Sequence, residues 1–158
     1  MTHFDETGRA RMVDISDKPV TQRMAKAQGV IRMKRETLDA IRAGTTRKGD
    51  VIAVARVAGI MAAKRTADLI PLCHPIPLTD VDLTIELRDD LPGAQVTSTA
   101  KTAAQTGVEM EAIVAASVTL LTIFDMVKGL DRDLTIGEIT VTEKLGGKSG
   151  HWVRDLHP

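Results

Sequence analysis

Residues 80–88 alternate without a break between apolar and polar side chains, and they lie midway between two long apolar stretches. Val81, Leu83, Ile85 and Leu87 fall to one side and Asp82, Thr84 and Glu86 to the other. That is the pattern of a strand with one face buried and one face wet. Leu91-Pro92-Gly93 makes a turn, and residues 95–104, rich in Thr and Val, return as the second arm of a hairpin. A hairpin needs a cover for its apolar face, and the flanking stretches are suited to supply it.

The stretch before the hairpin, residues 51–70, is headed by Asp50, a good helix N-cap, and closed by Pro71. Its small residues Ala53, Ala55, Ala58, Gly59, Ala62 and Ala63 predict a helix whose backbone approaches another element closely. The stretch after the hairpin, residues 108–128, predicts a helix of about six turns, apolar over most of its surface and therefore buried. A shorter helix is expected over residues 34–43, stopped by Gly44. Residues 11–15, 30–33 and 134–143 read as strands, with residues 20–29 ambiguous. From residue 30 onward, the short helix aside, the order is strand, helix, strand, strand, helix, strand. This is the βαββαβ order of the ferredoxin-like fold, an α+β class with two helices on one face of an antiparallel sheet. The 158 residues suit one domain, ordered over residues 12–150, with loose ends before and after.

Composition narrows the function. No unbroken apolar run reaches the ~18 residues of a membrane span, and the start lacks the apolar core of a secretion signal. Cys73 is the single cysteine, so no internal disulfide forms. A cytoplasmic protein without membrane contact is the expectation. Net charge is zero, yet residues 1–75 hold 14 basic and 8 acidic side chains against 7 and 13 in the remainder. That leaves room for a local anion site in the first half without the overall footprint of a nucleic-acid binder. The aromatics are Phe4, Phe124 and Trp152, too few to stack the bases of a single strand.

Four segments concentrate polar residues at element ends. Arg47-Lys48-Gly49-Asp50 opens a long helix, where free amides and the Lys48 charge favour an anion, though composition alone favours a plain cap with solvated basic neighbours. Leu72-Cys73-His74-Pro75-Ile76-Pro77 is a proline-stiffened connector. Zinc does not suit it, because the other histidines (His3, His151, His157) lie near the termini and there is no second Cys. A Cys nucleophile with a His base is awkward too, since adjacent residues in extended chain point apart. A histidine presented to a ligand, or a structural turn, fits better. Gly107-Val108-Glu109-Met110-Glu111 places two carboxylates in a first helical turn about 200° apart, so one can cap while the other binds.

Asp125 and Lys128 are helix neighbours three residues apart. With them goes the loop Lys144-Leu145-Gly146-Gly147-Lys148-Ser149-Gly150, which is not a P-loop but can wrap a phosphate with backbone amides. Glu111 and Asp125 share a helix face but stand about 21 Å apart along it. If both serve one ligand, two copies of the chain must supply them, most simply across a two-fold axis.

Taken together these strings resemble one family. Lys48-Gly49-Asp50-Val51, Ala58-Gly59-Ile60 with Ala62-Ala63-Lys64-Arg65-Thr66, and Asp68-Leu69-Ile70-Pro71-Leu72-Cys73-His74-Pro75 are similar to the MoaC family of molybdenum cofactor biosynthesis. So are Thr106-Gly107-Val108-Glu109-Met110-Glu111-Ala112, Asp125-Met126-Val127-Lys128 and Gly146-Gly147-Lys148-Ser149-Gly150. The resemblance runs from about Met12 to Gly150. It implies a ferredoxin-like subunit in a homohexamer, a trimer of dimers with active sites between subunits. It implies a lyase that converts the 3′,8-cyclised dihydroguanosine triphosphate made from GTP into cyclic pyranopterin monophosphate and diphosphate. No cofactor and no metal are implied, because a preceding radical GTP cyclase carries out the radical step. By the same resemblance Asp125 is catalytic, with Lys48 and Lys128 beside it. Leu72, Cys73, His74, Met110, Glu111, Glu109, Lys144 and Arg23 bind substrate. Leu145 stands where the family pattern implies a small residue. The rival expectation is a regulatory module that binds purine nucleotides on the same scaffold without consuming them.

Overall fold

The computed structural model describes residues 7–148 and 150–155. Ser149, in the glycine loop, and the outermost ends therefore lie outside the described residues. The sheet has five strands, all antiparallel, in the spatial order β2-β3-β1-β4-β5. They are β1 (Thr21–Arg32), β2 (Leu78–Arg88), β3 (Gly93–Ala104), β4 (Thr135–Leu145) and β5 (His151–Val153). The helices are α1 (Arg35–Arg42), α2 (Val51–Ala63), the single turn α3 (Thr66–Leu69) and α4 (Glu109–Val127). The first four strands and the helices α2 and α4 carry the ferredoxin-like plan, and β5 adds an edge.

Alternation sets the layers. Ala25, Ala27 and Ile31 of β1 are fully buried toward the helices, as are Val96 and Ala100 of β3, while Lys26 on the open face pairs with Glu143. The β2 alternation is as expected: Leu83 is buried, Asp82, Thr84 and Glu86 exposed. α4 lies across β1, β3 and β4 and packs on α2. By length and composition α4 could cross a bilayer, a property that a search for unbroken apolar runs misses. Here Ala112, Ala115, Ala116, Leu120, Ile123 and Val127 give it a fully buried stripe within the fold.

The small residues of α2 allow that contact. A Cβ on Gly59 would overlap the Thr119 hydroxyl and sit 2.9 Å from the Ala115 carbonyl oxygen of α4. Backbone cannot yield as a flexible side chain does. Gly59→Ala is therefore expected to cost about 1–3 kcal/mol by overpacking, despite alanine's better helix propensity. A thermal melt showing Gly59→Ala at least as stable as the parent would contradict this packing.

Three expectations need correction. Residues 11–15 form no strand. They run as irregular chain, pinned by His74 Nε2 donating to the Val13 carbonyl (2.8 Å). Their apolar alternation reflects Val13 and Ile15 lining a cleft rather than pairing in a sheet. The predicted helix over residues 51–70 breaks at Lys64–Arg65 into α2 and α3. Lys64 and Arg65 are exposed there, and the Thr66 hydroxyl bonds back to the Ala63 carbonyl at 2.9 Å. The chain after Gly150 is not loose throughout: His151–Val153 pairs with Glu143, Lys144 and Leu145. Of the ambiguous residues 20–29, all but Val20 belong to a strand far longer than expected, β1, which is central and so carries small residues against α4.

Candidate functional site

Polar residues collect at the two ends of α4. At its C-terminal end Asp125 points out of the helix and is held from both sides. Lys48 Nζ donates to Asp125 Oδ2 (2.7 Å) and to the Asp125 carbonyl (2.8 Å). Lys128 Nζ, one turn further along, is 2.7 Å from Oδ1. Lys48 comes from the loop joining α1 to α2, and local bonds fix that loop. The Thr46 hydroxyl donates to the Gly49 carbonyl, Gly49 takes a φ of +89°, and Asp50 Oδ1 caps α2 by accepting from the Ala53 amide. Both functions considered for Lys48-Gly49-Asp50 are thus divided between residues: Asp50 caps, and Lys48 reaches to α4.

The two ammonium groups, Lys128 foremost, hold the Asp125 carboxyl well below the usual range, at about 2. All three side chains are about half exposed, so this ion triplet contributes little to stability. The triplet carries one net positive charge at the surface, where Lys48 also ties the loop before α2 to the end of α4.

At the other end of α4 the connector after α3 folds over Glu109 and Glu111. Cys73 Sγ donates to Glu111 Oε1 at 3.7 Å, while His74 turns away to Val13. The two neighbours diverge, as extended chain requires. Burial, with the Glu111 carboxylate behind it, pushes the Cys73 thiol up to about 11. A thiol shifted in that direction stays protonated and suits its place as donor to Glu111. Glu111 is only 3% exposed, and its Oε2 finds no hydrogen-bond partner among the described residues. A buried carboxylate oxygen left unpaired is costly, and a ligand donor would relieve it.

Burial raises the Glu111 pKa. The unfolded chain then loses this proton at lower pH than the folded chain does, so stability falls as pH rises from about 4.5 through the folded value. Glu111→Gln should remove this slope. The difference in melting temperature between variant and parent is expected to grow in the variant's favour from pH 4.5 upward. A difference that stays constant with pH would show that Glu111 is not a strained carboxyl.

Around the same helix end, Lys144 of β4 is 3.4 Å from Glu109. Arg23 of β1 donates through Nε to the Ala104 carbonyl (2.9 Å) and through Nη2 to the Gln105 carbonyl (3.2 Å). The glycine loop is a hairpin between β4 and β5, closed by the Gly146 amide on the Gly150 carbonyl at 3.0 Å. Gly146 and Gly147 have φ of +100° and +70°, and any side chain on either would run into β1 at Gln22 or Arg23. Leu145 closes β4, opposite His151, and its side chain is exposed, so a larger residue is accommodated there.

A cleft of about 470 Å³ opens between these parts, with Leu72, Cys73, His74, Glu109 and Met110 in its wall. Val13, Lys18 and Thr106 line it as well, and none of the three stands out as a site residue in the sequence. The basic surplus of the first half was the only signal for Lys18, and nothing marked Val13. A second cleft, about 460 Å³, runs from Glu109 and Lys144 to His151 and Trp152.

The residues singled out from sequence therefore form two groups. Lys48, Asp125 and Lys128 meet at one end of α4. Leu72, Cys73, His74, Glu109, Met110, Glu111, Lys144 and Arg23 surround the other. Within one chain the helix keeps the groups about 21 Å apart.

The MoaC family profile matches residues 12–147. A Brucella ovis protein named cyclic pyranopterin monophosphate synthase is 59% identical over 152 residues, which cover 96% of this chain and 92% of that one. A Dinoroseobacter shibae protein of the same name is 57% identical over 152 residues, 96% of each chain.

Proposed function

The chain belongs to the MoaC family, and from that premise we propose that it is a cyclic pyranopterin monophosphate synthase. Its substrate is the 3′,8-cyclised dihydroguanosine triphosphate supplied by a radical GTP cyclase, and its products are cyclic pyranopterin monophosphate and diphosphate. It acts as a lyase in the cytoplasm, with no redox cofactor of its own. The observation that carries this reading is the Asp125 carboxylate clamped between Lys48 and Lys128.

The residue types suit the chemistry. Opening and rebuilding a purine-derived ring moves protons onto and off nitrogen and oxygen, which an Asp–Lys pair can do. Closure of the cyclic phosphate forms one P–O bond at the α-phosphorus and breaks the bond to the β-phosphate oxygen. The hydroxyl loses its proton to a base and diphosphate leaves with the bonding pair. Ammonium groups stabilise the charge that develops. A carboxyl at about 2 is a poor base, but substrate phosphate would draw Lys48 or Lys128 toward itself and release Asp125 to higher basicity.

Both ends of α4 serve one ligand only if two copies share the site, and we assign the working form as a hexamer built from three dimers. An uncovered apolar stripe supports contact between copies. Val54, Val57 and Met61 follow one face of α2 at 45–56% exposure, and Leu121 of the adjacent α4 is 57% exposed. To test the function, the purified protein is incubated with the cyclised triphosphate. One diphosphate released per cyclic pyranopterin monophosphate formed is the expected result. Binding with no consumption would instead favour the nucleotide-sensing reading.

A further inference from the structure

We propose that Asp131 is a positioning residue for the synthase site, holding the chain so that Lys48 and Lys128 both engage Asp125. This rests on the proposed activity for what the ion triplet does, and on the joint around Asp131 for how it is held.

Glu111 and Asp131 are the two carboxylates buried among the described residues. Glu111 keeps an unpaired oxygen, whereas both oxygens of Asp131, which is 1% exposed, are engaged. The Lys34 amide donates to Oδ2 (2.7 Å) and the Asp133 amide to Oδ1 (2.9 Å), with the Thr37 hydroxyl 3.5 Å from Oδ2. Burial opposes the charge, but these amides, that of Lys34 foremost, hold the carboxyl below its usual range. Lys34 Nζ turns to Asp133 at 2.8 Å and stays 3.9 Å from Asp131. Asp131 is therefore an ionised group that binds main chain. A buried carboxylate gains little net stability for its desolvation, but its bonds to amides are short and directional, so it fixes geometry.

Two arms leave this joint, and both end at Asp125. One is α4. Its closing turn contains Lys128, and there the Leu130 and Asp131 amides donate to the Val127 carbonyl. The other is α1, whose N-cap is Lys34, so the Asp131 carboxylate sits at the positive end of that helix. α1 is about 12 Å long and buried at Thr37, Leu38 and Ile41. Its far end is closed by the Ala43, Gly44 and Thr45 amides, which donate back to Asp39, Ile41 and Ala40. The loop that follows carries Lys48, whose ammonium returns to the Asp125 carbonyl and Oδ2. This ring of chain is closed twice, by Asp131 on Lys34 and by Lys48 on Asp125. Opening the first closure lets α1 and its loop shift against α4, and that loosens the second.

Asp131→Asn keeps the size of the side chain but turns one acceptor oxygen into a donor set against a backbone N–H. In that variant the Asp125 carboxyl, followed by carbon-13 NMR, should titrate upward from about 2 toward 3.8. With the cyclised triphosphate, kcat should fall about tenfold or more while KM stays within about threefold, as for groups present but misplaced. Val96→Ala, a core cavity in β3 that leaves every bond at the joint in place, should lower the melting temperature yet change neither readout. Lys34→Pro tests the same bond from its other side. Lys34 has a φ of -65°, which proline adopts, so the change removes the donated N–H. It should reproduce the effects of Asp131→Asn, and Lys34→Ala, which keeps the N–H, should not. Each protein is measured at a temperature where circular dichroism shows it folded. Wild-type kcat and Asp125 titration in folded Asp131→Asn or Lys34→Pro overturn the proposal, as does an equal loss in Val96→Ala. A wild type that consumes no cyclised triphosphate sinks the synthase reading alone, and the Asp125 titration then decides the proposal.

Discussion

Asp125→Asn is expected to lower turnover about 10²- to 10⁴-fold, the range for loss of a positioned acid–base group, with the fold and melting temperature close to wild type. Two features of the structure separate the effects. Asp125 is exposed and its side chain bonds only to the half-exposed Lys48 and Lys128 among the described residues, so its removal should leave the α2–α4 packing alone. The amide keeps the size of the side chain and can still accept from one lysine, but it cannot take up a proton. Substrate affinity should change far less than kcat, because the cations of the site are untouched. Near-normal product formation by Asp125→Asn would remove Asp125 from the chemistry.

Lys128→Ala is expected to cost turnover by a similar factor, and it carries a second signal. Lys128 is the larger of the two influences that depress the Asp125 carboxyl. Without it the carboxyl should titrate upward from about 2 toward the ordinary 3.8, followed by carbon-13 NMR of the carboxyl group. Lys48→Ala should shift it in the same direction by less. The sign is fixed by charge: removing a neighbouring cation makes the carboxylate easier to protonate. At neutral pH Asp125 is ionised in every variant, so the loss of rate reflects the missing ammonium and not a change in the aspartate's charge. A carboxyl that titrates near 2 in Lys128→Ala would show that the ion triplet is not formed in solution.

Much of the fold is legible in the amino-acid sequence. The hairpin over residues 80–104 announces itself because one sheet face is wet, so alternation is preserved in the side chains. β1 is ambiguous for the opposite reason. It is the central strand, flanked by β3 and β4, and its buried positions Ala25, Ala27 and Gly29 are small to admit α4, which erases the apolar signal of a strand. β5 escapes notice because three exposed residues at a sheet edge carry no pattern. The break after α2 is hidden because Lys64 and Arg65 are good helix residues, and the turn there depends on the Thr66 hydroxyl and on the connector that follows.

The site divides along the same line. The Asp125–Lys128 pair and the placing of Glu109 and Glu111 in the first turn of α4, on different sides of it, follow from helical spacing. The bond from Lys48 to Asp125, 77 positions apart in the chain, depends on how α2 lies on α4 and no spacing rule gives it. Lys18 stands in irregular chain, and only the fold brings it to the cleft walled by Cys73 and His74.

Mixing two disabled chains addresses the shared cleft directly. Glu111→Gln and Asp125→Asn proteins, each nearly inactive alone, are combined, dissociated and reassembled, and mixed oligomers are verified by mass. If one copy supplies Glu111 and its neighbour Asp125, random reassembly restores one intact cleft in each mixed pair, or roughly a quarter of wild-type activity. Verified mixed oligomers as inactive as their parents would mean that each cleft draws on a single chain, and would contradict a site shared between two copies.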